Sequence, residues 1–474
     1  MVEIRLPKIL EADNCAKYRI APSIDNGQVS SIYISEETDI NIVSAVKFSL
    51  GREIDFNIIG DDELSRKIAE LFQACSISDS CPAADTASDI IDSSIIELID
   101  SIISDALRHQ ASDIHMEPFE GSMSIRCRLD GVLQQKRTIK KENVPAVISR
   151  VKIMSGLDIA EKRRPQDGRI RFQFDNRTVD IRVSILPTDF GEKAVLRLLD
   201  KAALQLDIGK LGFDGDNLAL LKEKIKLPNG IILITGPTGS GKTTTLYAAL
   251  NYIKSPGINI TTIEDPIEYN LEGINQTQIK PEINLTFASS LRAILRQDPN
   301  VIMVGEIRDR ETLDNALRAS LTGHLVFSTI HTNDSISTIA RLTDLGADRH
   351  LLQSTLKLIV AQRLVRIICP HCKGDRPDSN ERAAATALGL PHGTPLWQGL
   401  GCKNCLHIGY RGRTAIYEML NFEETMGESI LEMDSHRDIL NKLKNKGMIT
   451  LRDRGLRLIR EGITTPSEVL RETC

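Results

Sequence analysis

Residues Gly236, Pro237, Thr238, Gly239, Ser240, Gly241, Lys242 and Thr243 fit the pattern G-x-x-x-x-G-K-[ST], directly after the apolar run 231–235 and before a helical stretch, 244–250. Such a loop binds the phosphates of a nucleotide. The glycines let successive backbone N–H groups turn inward on a β-phosphate, and Lys242 supplies a point charge between the β- and γ-phosphates. The Thr243 hydroxyl is a ligand for Mg²⁺, and Thr244 completes the residues expected to touch the nucleotide.

A nucleotide on an open α/β sheet lies at the carboxyl ends of the strands, so the residues standing there decide the chemistry. The run 260–263 ends in Glu264-Asp265-Pro266-Ile267-Glu268, 301–304 ends in Gly305-Glu306, and 325–329 ends beside His331. Carboxylates and a histidine gathered at a phosphate loop suit Mg²⁺ held through water and the polarisation of an attacking water. On the helix expected over 287–297, Arg292 and Arg296 are four apart and share a face, and Arg308 follows Glu306 by two. Spacing alone also allows these arginines to be surface ion pairs.

Cys369-Pro-His-Cys372 and Cys402-Lys-Asn-Cys405 are two C-x-x-C pairs separated by 29 residues. Two such knuckles place four thiolates around one Zn²⁺, and with four cysteine ligands no position is left open for catalysis. His371 and His407 flank the pairs as surface residues. Cys15, Cys75, Cys81, Cys127 and Cys474 show no pairing and are expected to be core or incidental.

These groups must be held by folded elements, and the chain is long enough for several domains. Residues 1–75 mix short strand-like runs with a helix expected over 61–74, where Leu64, Ile68, Leu71 and Phe72 recur at helical spacing. Residues 76–90 have the Ser/Ala/Asp-rich composition of a linker. Over 91–107 an isoleucine-rich stripe predicts an amphipathic helix opening a middle domain, 91–205. Alternation predicts half-buried strands over 169–174 and 179–185, with Arg169, Arg171 and Arg182 turned away from the apolar face. On this pattern alone, seven bases between 162 and 182 read as a solvated sheet face. From 206 to 474 strand runs alternate with helices, which implies a largely parallel sheet covered on both faces. Past residue 334 the chain reads as mostly helical apart from a Cys/Gly/Pro-rich insertion near 369–412.

Composition limits the alternatives. Of 474 residues, 41% are hydrophobic, 26% charged and 4% aromatic, the balance of a folded soluble chain. Lys plus Arg number 59 against 64 Asp plus Glu, a net charge of −5, so no overall basic field exists to attract nucleic acid or an acidic membrane. The longest stretch without a charged residue, 383–402, is broken by glycines and prolines and cannot span a bilayer. Nine cysteines and a charged start, MVEIRLPKIL, point to a cytosolic chain with reduced thiols.

The chain resembles the ATPases of type II secretion and type IV pilus assembly, the GspE/PulE/PilB family, over roughly residues 40–474. The resemblance rests on Ala111-Ser-Asp-Ile-His-Met-Glu117, Arg126-Cys-Arg-Leu-Asp-Gly131, Arg164-Pro-Gln-Asp-Gly-Arg169 and the run from Gly191 to Asp200. It rests equally on the phosphate loop, Thr262-Ile-Glu-Asp-Pro-Ile-Glu268, the run from Arg296 to Asp309, the run from Gly323 to His331, and the tetracysteine. It implies a P-loop RecA-like ATPase domain over 206–474 with a zinc-knuckle insertion at 369–405, a preceding PAS-like α/β domain and a small N-terminal docking domain. It implies ATP, Mg²⁺ and Zn²⁺ as cofactors and a homohexamer that is cytoplasmic and peripheral on the inner membrane. The implied partners are an inner-membrane platform protein and the cytoplasmic domain of a membrane anchor protein. By the same resemblance Lys242 and Thr243 bind nucleotide and Mg²⁺, Glu268 activates water, Glu306 supports Mg²⁺, and His331 senses the γ-phosphate or an interface. Arg182 and Arg197 match arginines that reach the γ-phosphate when two domains close, and Arg292, Arg296, Arg308 and Arg341 match arginines of the site or subunit interface. Residues 1–75 match only loosely, around 46–72. The tetracysteine favours secretion or pilus extension over pilus retraction. The alternative is a nucleic-acid translocase or conjugation-type ATPase, against which the net charge and sparse aromatics count.

Overall fold

The computed structural model describes residues 85–200, 206–422 and 435–473 and, nearer the start, 20–25, 28–35, 55–60 and a few positions between 15 and 68. The chain forms two compact units, residues 1–91 and 92–474. In the first, strands β1 (Ile20–Asp25) and β2 (Gln28–Ile34) pair antiparallel and β3 (Asp55–Ile58) joins β2 in parallel. Ile20 and Ile32 are fully buried there. Of the helix expected over 61–74, positions 63, 64 and 66–68 are described and are helical. Its remainder and residues 76–84 of the expected linker lie outside the described residues.

The last residues of that expected linker are helical. Helix α1 (Asp85–Arg108) starts six residues before the isoleucine stripe. Apolar periodicity marks only the buried turns of a helix. Acidic and hydroxyl residues that read as linker also suit the positive end of a helix dipole.

In the second unit the strands β4 (Asp113–Pro118), β5 (Ser122–Leu129), β6 (Val132–Lys140), β7 (Gln166–Phe174), β8 (Arg177–Thr188) and β9 (Gly191–Leu199) form one antiparallel sheet in the order β6-β5-β4-β9-β8-β7. Both expected strands are present, each longer than the alternation suggested. Ile170, Val179, Ile181, Val183 and Ile185 pack with Ile99 and Ile103 of α1 and with Val147 and Val151 of α2 (Val144–Ser155). Helices thus cover one face of the sheet. Period-two geometry leaves the arginines on the other.

A second sheet follows helix α3 (Gly215–Lys224). Its strands are β10 (Gly230–Thr235), β11 (Ile260–Glu264), β12 (Asn275–Gln278), β13 (Val301–Val304), β14 (Leu325–Ile330) and β15 (Leu356–Ile368). They run parallel, with β10 inside the sheet between β14 and β15. Helices α4 (Lys242–Ile253), α5 (Phe287–Ile294), α6 (Arg310–Leu321), α7 (Ser335–Asp344) and α8 (Arg349–Thr355) connect them. Two buried clusters built on β10, β11, β13, β14 and β15, one holding α5 to α7 and the other α4, explain why those strands are largely apolar, whereas the edge strand β12 (Asn-Gln-Thr-Gln) is polar.

The expectation of a mostly helical region past 334 is also corrected. β15 has thirteen residues and pairs antiparallel with β18 (Tyr410–Asn421), closing the seven-stranded sheet. A strand buried on both faces shows no alternation, so 356–368 offered no period by which to separate strand from helix. Between the two long strands lie β16 (Lys373–Gly374), helix α9 (Ser379–Ala387) and β17 (Gln398–Gly399). After β18 come α10 (His436–Asn445), α11 (Leu451–Arg460) and α12 (Pro466–Thr473). Among the described residues no helix is long and apolar enough to cross a membrane.

Candidate active site

The phosphate loop joins β10 to α4, whose first residue is Lys242. Gly236 and Gly241 have φ of 149° and 88°, and a Cβ on either would run into Gln362, at 2.5 Å from its carbonyl oxygen and 2.8 Å from its side-chain nitrogen respectively. Only glycine fits there. Gln362 itself, buried in the middle of β15, donates to the Ser240 carbonyl at 2.9 Å and accepts from the Thr245 hydroxyl at 2.7 Å. The side chain therefore fixes the loop from beneath, and truncating it would leave buried polar groups unpaired at a cost of about 1–3 kcal/mol. Spacing did not reveal this residue. Its signal was the polar pair Gln362-Arg363 in the middle of a strand whose immediate neighbours Ile359, Val360, Ala361, Leu364 and Val365 are apolar. The Ser240 hydroxyl is buried without a hydrogen-bond partner, and the loop opens on the N-terminus of α4, a donor set that fits phosphate oxygens.

Lys242 Nζ donates to the carbonyls of Gly236 and Pro237 at 2.8 and 3.0 Å. Burial lowers its pKa from the ordinary lysine value to about 8, against the pull of Glu306.

At the carboxyl end of β13, Gly305 donates to the Ile263 carbonyl at 2.7 Å while its own carbonyl accepts from Thr329 at 2.7 Å. The residue that follows, Glu306, is thereby held from both sides. Its carboxylate pairs with Arg308, raising the pKa of that guanidinium, and stands 3.4 Å from His331 Nε2. Glu306, His331 and Lys242 are thus brought to one place, as expected.

The five residues after β11 divide. Glu264 is buried and accepts from Tyr247, from Thr262 at 2.5 Å and from Gln276 at 2.9 Å. Its oxygens are occupied inside the fold, so it is no free carboxylate of the site. Burial and this neighbour push the Tyr247 phenol pKa up. Gln276 also donates to the Tyr269 carbonyl and accepts from the Leu271 N–H, which anchors the loop carrying Glu268. Glu268 remains partly exposed and meets Arg182 of β8 at 3.1 Å, and Arg182 also donates to the Ile267 carbonyl. One arginine thereby joins the middle sheet to the seven-stranded sheet.

The other arginines separate by partner. Arg197 is half-exposed and pairs with Asp113 at 3.1 Å, Arg171 lies 4.0 Å from Asp180, and Arg177 pairs with Asp200 at 2.8 Å. Arg292 pairs with Glu311, and Arg296, two residues past the end of α5, which stops at Ile294 rather than at 297, donates to the Arg292 carbonyl at 3.0 Å.

The four cysteines Cys369, Cys372, Cys402 and Cys405 come together at the far end of the β15–β18 pair, with sulfurs 3.7–3.9 Å apart where they touch. Four thiolates at about 2.3 Å from one tetrahedral Zn²⁺ would stand about 3.8 Å from each other, so the set fits zinc. Backbone N–H groups of Cys402 and Gly409 point at the Cys405 sulfur. Burial opposes them, yet they bring this thiol down to about 7. Beside the cluster, Leu406 and Ile408 pack against the middle-sheet core, and Gly412 N–H donates to Asp130 at 2.8 Å. Of the cysteines expected to be incidental, Cys15 and Cys127 are buried, which raises both pKa values, Cys15 to about 11. Cys75, Cys81 and Cys474 lie outside the described residues.

Residues 89–471 match the family described as Type II/IV secretion system protein. The chain is 45% identical over 453 residues to Type II secretion system protein E of Pseudomonas aeruginosa, covering 91% of this chain and 89% of that protein. It is 49% identical over 382 residues to Type II secretion system protein E of Dickeya dadantii, with 81% and 76% covered. To the Type IV pilus assembly ATPase PilB of Myxococcus xanthus it is 45% identical over 421 residues, with 88% and 72% covered. Among solved structures, the pilus retraction motor PilT with bound ADP aligns with a TM-score of 0.53 and 28% identity over 79% of this chain and 96% of that one. The Legionella pneumophila ATPase DotB, at 22% identity and a TM-score of 0.56, shares the RecA-like fold over 78% of this chain and 94% of its own. With the phosphate loop, the strand-end carboxylates and the tetracysteine in place, the chain belongs to the family of P-loop ATPases that serve type II secretion and type IV pilus assembly.

Proposed function

We propose that the protein is a hexameric motor, docked on the cytoplasmic side of the inner membrane through partners, that hydrolyses ATP to drive type II protein secretion or type IV pilus assembly. Lys242, Thr243 and the loop from Gly236 to Thr244 hold the phosphates and Mg²⁺. Glu268 activates the attacking water, and Glu306, steadied by Arg308 and His331, supports the metal ion. Residues 1–75 dock the motor, 76–90 lead into the middle domain (91–205), and 206–474 form the ATPase domain with its zinc insertion at 369–405. An inner-membrane platform protein and the cytoplasmic domain of a membrane anchor protein are the partners. The names carried by the relatives favour this motor over a nucleic-acid translocase.

The observation that carries the reading is the Arg182–Glu268 contact, because it places a residue of the middle sheet on the reactive end of the ATPase sheet. Charge delivered by a second body makes hydrolysis depend on how the two bodies sit, which is what a motor needs. Arg197, directly opposite Arg182 on the neighbouring strand, is the second such charge. Arg197→Ala should cut kcat for ATP by about 10²-fold or more while ADP affinity changes little, as expected for a group that acts on transferring charge. Parallel losses in ADP affinity and kcat would contradict a role confined to hydrolysis.

The tetracysteine is assigned a structural Zn²⁺, which closes the loop between β15 and β18 and leaves the four sulfurs no catalytic task. Protein purified without chelators should hold about one zinc per chain by elemental analysis, and Cys405→Ser should lose it. Metal-free protein of unchanged stability would remove this assignment.

A further inference from the structure

Five residues stand directly opposite one another across the open face of the middle sheet. They are Arg169 of β7, Arg182 of β8, Arg197 of β9, Asp113 of β4 and Arg128 of β5. Directly opposed side chains have Cβ atoms about 5 Å apart, and like charges so placed repel. Three successive arginines therefore need anions. Arg182 has Glu268, and Arg197 and Arg128 share Asp113 at 3.1 and 3.5 Å. Further along β7 and β8, Arg171 and Arg177 have Asp180 and Asp200. Arg169 alone in this group has no carboxylate, and among the described residues it makes no ion pair.

Its place is nevertheless built. A Cβ on the preceding residue, Gly168, would come within 2.7 Å of the Ser155 carbonyl and 3.0 Å of Leu157, so β7 lies tight against the end of α2 and Arg169 is set at a fixed depth. Arg169, Arg182, Arg197 and Ser184 line a cleft of about 550 Å³ whose opposite wall includes Pro266, two residues before Glu268. A solvated sheet face accounts for Arg171, beside its acid, and Arg177 lies on the other face, over the Phe174 ring. A solvated face does not account for Arg169, which makes no ion pair among the described residues although it shares the cleft with two other arginines and with Asp167, the acid two positions before it on the same strand face.

We propose that Arg169 is a third arginine for phosphoryl oxygens, completing with Arg182 and Arg197 an anion site that takes the terminal phosphate of ATP or the phosphate released from it. This rests on the nucleotide reading above and adds to it a residue and a ligand. A planar guanidinium suits two oxygens of one phosphoryl group, which is why arginine stands at this position.

The test uses the full-length protein with Arg169→Gln, and Arg169→Lys should the first variant not fold. Arg171→Gln is the control, since it removes a charge from the same strand outside the cleft. The expected result is a kcat for ATP about 10²-fold lower in Arg169→Gln, with ADP affinity retained and Arg171→Gln close to wild type. Two further measurements separate the sources of the phosphoryl group. Weaker binding of ADP with aluminium fluoride assigns Arg169 to the phosphate in transfer, and weaker inhibition by inorganic phosphate in the presence of ADP assigns it to the product. Either result supports the site. Unchanged kcat, fluoride complex and phosphate inhibition together would overturn it. Lys242→Ala, assayed alongside, separates the two levels: if that variant keeps its turnover the nucleotide reading itself has failed, whereas an inactive Lys242→Ala beside a fully active Arg169→Gln refutes only the third arginine.

Discussion

Glu268→Gln should reduce kcat for ATP hydrolysis by about 10²- to 10⁴-fold, the range by which a positioned general base contributes, with nucleotide binding preserved. The substitution keeps the size of the side chain and removes only its capacity to take a proton. Glu264, four residues earlier, gives the contrast. Its oxygens are spent on Tyr247, Thr262 and Gln276, so it fixes the loop and has no oxygen free for water. In the described structure Arg182 occupies one oxygen of Glu268. Glu268→Gln should therefore also weaken the tie between the two sheets. A stopped assay of phosphate release, with ADP binding measured in parallel, checks the expectation. Turnover near wild type would remove Glu268 from the reaction.

Lys242→Ala should abolish turnover and strip nucleotide affinity as well, because the charge it removes faces the phosphates before as well as during transfer. A pH dependence follows from the position of this lysine. Burial holds its pKa at about 8 in the free protein. Phosphates favour the charged form, so the pKa rises on binding. Between the free value and the higher bound value, nucleotide binding takes up a proton. Affinity must then fall as pH rises through about 8 and be insensitive to this group well below it. Titration calorimetry in buffers of different ionisation enthalpy reads the proton directly. Affinity that is flat from pH 7 to 9.5 would contradict the assignment.

Much of this site was legible before any coordinates, because its parts are local. The phosphate loop is eight consecutive residues, each C-x-x-C pair is four, and Glu306 and His331 stand beside apolar runs that could only be strands. What was not legible depends on neighbours far apart in sequence. Glu264 and Glu268 look equivalent in Glu264-Asp265-Pro266-Ile267-Glu268. Their roles separate only when Tyr247 and Gln276 are seen to claim the first. Gln362 supports a loop 120 residues away. Arg169 and Arg171 are alternate residues of one strand, and only the structure shows that an acid from β8 lies beside Arg171 while Arg169 lines the cleft. β15 was misread for a related reason. Burial on both faces erases the alternation by which a strand announces itself.

The contact of the zinc knuckle with the middle sheet has a consequence for the order of events during synthesis. The core of that sheet is complete once residues 95–198 have been made, and its strands pair antiparallel within that stretch, so it can close as it leaves the ribosome. Leu406, Ile408 and the partner of Asp130 follow about two hundred residues later. At about 5–20 residues per second this is a delay of about 10–40 s. Throughout that interval the side of the middle domain that will receive the knuckle is formed and waiting. Glu268 arrives earlier, before β15 and β18 exist to complete the sheet behind it. The protein is thus assembled as a finished front half onto which the second half is laid, with a metal-bound loop making one of its last attachments.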